Sequence, residues 1–89
     1  MIINLPDLPY KDHGWNEAGQ LRKIREEYDE VEKAYVQGDP ANIVRESLDL
    51  MQTCVTMINM QVDEFGFCLD KFLTEHREKL IRKGYLDGE

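Results

Sequence analysis

The tripeptide Gly38-Asp39-Pro40 splits this chain into two long stretches that each carry a helical apolar pattern. Gly ends a helix at little cost because it tolerates positive φ, Asp caps the next helix, and Pro suits a first turn. Upstream, Leu21, Ile24, Tyr28, Val31 and Tyr35 recur at helical spacing and predict a helix from about Trp15 to Gln37. Downstream, the pattern from Ile43 to Val62 predicts a second helix from Pro40 to about Phe65. Gly66 interrupts it, and a third helix is expected from about Phe67 to Lys83, with Leu69, Phe72, Leu73, His76 and Leu80 on one side. No segment alternates as a strand would. The expected fold is all-α, with an extended arm over residues 1–14, a helical domain over 15–85 and a tail over 86–89.

The second helix constrains the assembly. Its apolar residues cover close to half of the helical circumference, a wider face than one neighbouring helix can cover. It should therefore be central, packed on other helices or on its own copy. A chain of 89 residues is near the size where one core barely suffices. The expectation is a three-helix protomer that completes a helical bundle as a homodimer or homotetramer.

Composition excludes several classes. A formal net charge of −7 argues against nucleic-acid binding, which needs a basic surface. The longest uncharged run, Leu50 to Val62, is too short for a membrane span and is broken by polar residues. The start has no basic segment leading into a long apolar one, so no secretory signal is expected. Cys54 and Cys68 fall within apolar helical patterns and read as buried free thiols, which implies a cytoplasmic setting.

Carboxylates flank the central turn at matching distances. Glu27 and Glu30 are three apart, as are Glu46 and Asp49, so each pair shares a face of its helix. In an antiparallel hairpin centred on Gly38-Asp39 the two pairs come level to within roughly 2 Å. Either acidic cluster alone is compatible with a solvated surface, but Glu46 and Asp49 interrupt an apolar stretch and do nothing for packing. Four carboxylates without a neighbouring His or Cys form a hard-oxygen site that suits Mg²⁺ or Mn²⁺ and not zinc. The Glu-x-x-His pairs of di-iron bundles are absent. Mg²⁺ commonly bridges carboxylates to phosphate oxygens, which points to a phosphorylated substrate.

Glu26-Glu27-x-x-Glu30 followed by Glu46-x-x-Asp49 resembles the signature of the all-α nucleoside triphosphate pyrophosphohydrolases, and Gln20-Leu21-x-x-Ile24 resembles the approach to it in the MazG-like branch. The segment from His76 to Tyr85 is similar to the basic C-terminal stretch of small MazG-like proteins. The resemblance implies an enzyme domain over 15–85 with Glu27, Glu30, Glu46 and Asp49 on Mg²⁺. It also implies Glu26 or Glu30 as the carboxylate that takes a proton from water, and cleavage between the α and β phosphates. Lys79, Arg82 and Lys83 are then the basic residues available for the triphosphate. Phosphoribosyl-ATP hydrolysis is the alternative within the superfamily, and a non-catalytic dimerising helical adaptor is the alternative outside it. His76, Met51, Met57, Met60, Tyr10 and Trp15 read as packing residues, although Tyr10 and Trp15 have rings able to stack on a base.

Overall fold

In the computed structural model, which describes residues 1–88, three helices follow one another: α1 (Glu17–Val36), α2 (Pro40–Phe65) and α3 (Leu69–Arg82). No strand occurs among the described residues. Asn16 opens α1, its side-chain oxygen accepting from the Gly19 N–H at 2.8 Å. The helix starts later than Trp15 because residues 10–14 close a turn, in which the Trp15 N–H donates to the Tyr10 carbonyl at 3.1 Å. Asp39 caps α2 by accepting from the Asn42 N–H at 3.1 Å, with Pro40 in the first turn. Gly66 ends α2 at φ 66°, in the left-handed region that glycine enters most cheaply. The N-cap of α3 is Cys68, which makes no side-chain cap bond, so nothing draws Phe67 into the helix.

α1 and α2 pack as an antiparallel hairpin, and their contact is made by small and polar side chains. Ala34, Met60, Gln20, Thr53 and Thr56 are the buried residues. The Gln20 amide donates to the Thr53 carbonyl at 2.9 Å across the two helices. The Thr53 and Thr56 hydroxyls donate within α2, to the carbonyls of Leu50 and Gln52, at 2.7 and 3.1 Å. Each buried polar group thus keeps a partner, and short side chains let the backbones approach.

The N-terminal arm is tied to α2. The Gln52 amide donates to the Pro6 carbonyl at 2.8 Å, Asn59 donates to the Asp7 carboxylate at 2.9 Å, and the Tyr10 hydroxyl donates to Asp63 at 2.5 Å. That last bond, with the negative charge of Asp63, pushes the Tyr10 phenol up to about 12.

α3 packs little on the hairpin. None of its residues is buried. An apolar groove of about 490 Å³ opens between α2 (Met57, Ile58, Val62) and α3 (Phe72, Leu73, His76). The radius of gyration is 15.3 Å, against about 12 Å for a compact chain of this length. The exposed residues include Val44, Leu48, Met51 and Ile58 on α2 and Phe67, Leu69, Phe72 and Leu73 around α3. Both cysteines are free thiols, but only Cys54 is partly covered; Cys68 is exposed, because the α3 cap stands away from the hairpin. No helix among the described residues is long and apolar enough to cross a membrane.

Ala34 is wholly buried where α1 meets α2. Ala34→Leu should therefore force the helices apart and destabilise the fold by about 1–3 kcal/mol, read as a lower urea midpoint at fixed protein concentration.

Candidate metal centre

The hairpin register decides which carboxylates meet. Gln20 and Thr53 are level through their hydrogen bond. Two turns along each helix toward the connection, Glu27 comes level with Glu46, and Asp49 follows on the same face of α2 as Glu46. Glu27, Glu46 and Asp49 each bring a carboxylate oxygen within 4.8 Å of the others. Oxygens around a single Mg²⁺ or Mn²⁺, at about 2.0–2.2 Å from the ion, are spaced on this scale. The donor set is oxygen only, which fits a hard divalent cation.

Glu30 does not belong to this group. Its carboxylate lies 3.6 Å from the Lys33 ammonium and is half exposed. The hairpin is centred nearer Val36–Gln37 than Gly38-Asp39, so Ile24 is the residue level with Asp49, and Glu30 sits nearly two turns closer to the connection. Its charge still reaches Glu46. Glu26 is more exposed than Glu27 and lies 3.9 Å from the Lys23 ammonium.

Electrostatics bear the mark of crowding. The Glu46 carboxyl is held above its ordinary value, first by partial burial and then by the charges of Asp49, Glu30 and Glu27. Lys23 partly relieves this crowding. Its ammonium is 2.9 Å from Glu27, whose side chain is only 12% exposed. The hydrogen bond and charge of Glu27, with Glu26 and Asp49 further off, raise the Lys23 pKa. Lys23 was not singled out in the sequence, though the signal was present: Lys23 and Glu27 are four apart on one helix.

Lys79, Arg82 and Lys83 lie at the end of α3, the element that packs least on the hairpin, and all three are exposed. Within one chain, α3 does not pack them onto the carboxylate-bearing half of the hairpin.

A family model described as phosphoribosyl-ATP pyrophosphohydrolase matches residues 4–78. The chain belongs to this family, a member of the all-α MazG-like nucleotide pyrophosphohydrolase superfamily. The match covers the arm, α1, α2 and most of α3. No match was found among curated proteins or solved structures.

The raised Glu46 pKa means that the folded, metal-free protein binds this proton more tightly than the unfolded chain does. This group's contribution to stability therefore rises as pH falls through the raised value toward 4.5, the ordinary glutamate value. In EDTA, Glu46→Gln should melt higher than wild type at pH 7, and the gap should narrow at pH 5. A Glu46→Gln protein that melts lower at pH 7 would show that the Glu46 charge helps the metal-free fold.

Proposed function

We propose that this protein is a Mg²⁺-dependent pyrophosphohydrolase that cuts a nucleoside triphosphate between its α and β phosphates, releasing a monophosphate and pyrophosphate. The observation that carries this reading is the convergence of Glu27, Glu46 and Asp49 from two helices, in a chain of this family. Membership also supports a second reading in which the triphosphate is that of phosphoribosyl-ATP.

In either case Glu27, Glu46 and Asp49 would hold the cation, with Glu30, about one turn away, facing the water around it. The cation, when bound, neutralises phosphate charge and lowers the pKa of a water. Water's oxygen bonds to the α phosphorus, and the bridging oxygen leaves with pyrophosphate. Glu26 and Glu30 are the carboxylates free of the central group that can accept the water's proton. Lys23, whose ammonium stands 2.9 Å from Glu27, supplies positive charge beside the site and is placed to pair with phosphate. Lys79, Arg82 and Lys83 serve the triphosphate from α3 of a neighbouring subunit.

The exposed apolar face of α2 and the groove along α3 support assembly into at least a homodimer, with four or more helices burying what one hairpin leaves open. Light scattering at micromolar concentration should return at least twice the 10.5 kDa chain mass. A folded monomer would overturn this assembly.

Mg²⁺ should raise the thermal midpoint of the wild type and not that of Asp49→Asn, because binding to the native state stabilises it by mass action. Glu27→Gln, Glu46→Gln and Asp49→Asn should each remove most hydrolysis, while Lys79→Ala and Arg82→Ala should act mainly on KM. Pyrophosphate should be the primary product in a pyrophosphatase-free assay. Orthophosphate and diphosphate would overturn the α–β assignment. Metal binding without turnover of any nucleotide would favour the adaptor.

A further inference from the structure

A cavity of about 450 Å³ lies beside the carboxylate group, between the start of α1 and the middle of α2. That volume is in the range of small-molecule sites. One turn from Glu27 and one turn from Asp49, the cavity begins at Lys23, Gln52 and Thr53, so the Lys23 that bridges to Glu27 is shared between the two. At its other end stand Asn16 and Trp15. His13 stacks on the indole at 4.6 Å and 17°, yet Trp15 remains 45% exposed and lines the cavity. A large aromatic ring held flat by a second ring, and open to a cavity, is a stacking platform rather than a core residue.

Beyond Trp15 and Asn16 the surface changes sign. The same two residues also line a second cavity with Glu17, Asp63 and Glu64. There the Tyr10 hydroxyl is bonded to Asp63, and Lys11 is the lone basic residue. From the carboxylate group outward the order is therefore the Lys23 ammonium, then amide and hydroxyl groups with the Arg22 guanidinium, the aromatic ring, and last the carboxylates.

We propose that the cavity ending at Trp15 takes the nucleoside end of the substrate, with its base stacked on the indole, and that the acidic wall behind it selects an ordinary nucleoside triphosphate over one whose base carries a second phosphorylated sugar. This rests on the reading that Glu27, Glu46 and Asp49 hold the metal-bound triphosphate. A nucleoside hung from that point runs along the cavity toward Trp15. A phosphate attached to the far edge of the base would enter the region of Glu17, Asp63 and Glu64, where its charge is repelled.

Trp15 is the only tryptophan of the chain, so tryptophan fluorescence reports the point where the two cavities meet. The Mg²⁺-loaded protein is titrated with the α,β-methylene analogues of ATP and CTP, with tripolyphosphate, and with phosphoribosyl-ATP at 4 °C over a time too short for turnover. Calorimetry measures the affinities in parallel. The nucleotide analogues should quench Trp15 to saturation. Tripolyphosphate should compete with them without quenching, because it fills the metal end and has no base. Trp15→Leu should weaken nucleotide binding about tenfold and leave tripolyphosphate unchanged, while Trp15→Phe should keep most of the affinity. Phosphoribosyl-ATP should bind more weakly than the ATP analogue, and Glu17→Gln with Glu64→Gln should narrow that gap. Nucleotide binding that leaves Trp15 fluorescence unmoved, or Trp15→Leu weakening tripolyphosphate and nucleotide alike, would overturn the stacking site while the metal-site reading stands. Tighter binding of phosphoribosyl-ATP would overturn the selection. Failure of tripolyphosphate and nucleotides to bind at all would overturn both this proposal and the function it rests on.

Discussion

The close contact between α1 and α2 is what the candidate site depends on. Met60 is the one large apolar side chain buried in it; Ala34 and Thr56 allow the helices to approach, and the Gln20 amide reaches the Thr53 carbonyl. An apolar contact alone tolerates sliding, whereas a buried amide loses its partner if the helices shift by a turn, and leaving it unsatisfied costs about 1–3 kcal/mol. The bond therefore sets the register. Register in turn brings Glu27 opposite Glu46 and leaves Glu30 a turn away with Lys33.

Crowding three carboxylates works against the metal-free fold, and the structure answers it locally. Lys23 supplies one positive charge at 2.9 Å from Glu27, and Glu46 is shifted toward its neutral form. Both responses are reversible, since an ammonium can move away and a proton can dissociate when a divalent cation enters. The same hairpin presents a second acidic group at its opposite end, Glu17, Asp63 and Glu64. There a hydrogen bond between Glu64 and Glu17 raises one carboxyl and lowers the other. One end sets an ammonium against its negative charge; the other has Lys11 alone beside Glu17, Asp63 and Glu64, and this difference sets them apart as binding surfaces.

Much of the fold was legible in local chemistry. Asp39-Pro40 and Gly66 bound α2 where the sequence places its ends, because caps and glycine act within a turn of themselves. The start of α1 was less legible: whether Trp15 belongs to the helix depends on its bond to the Tyr10 carbonyl, which no periodicity encodes. Cys68 followed an apolar pattern and is nonetheless exposed, since a pattern marks a face that can be covered and not what covers it. The width of the α2 face was readable, and the open groove along α3 is its counterpart in three dimensions. Spacing alone predicts that Glu27, Glu46 and Asp49 approach one another, and their carboxylate oxygens do. Centring the hairpin on its turn residues brings Glu30 level with these carboxylates, whereas the register set by Gln20 and Thr53 leaves it outside the 4.8 Å group. Trp15 reads from the sequence as a packing residue, and the cavity it lines arises from how the arm, α1 and α2 meet, which no local pattern carries.

The central claim is that a divalent cation sits among Glu27, Glu46 and Asp49. Anomalous diffraction from crystals of the wild-type protein grown with Mn²⁺ tests it directly. The account predicts a peak within about 2.0–2.4 Å of carboxylate oxygens from all three residues. A strong peak at Glu17, Asp63 and Glu64, with none at the first group, would contradict it.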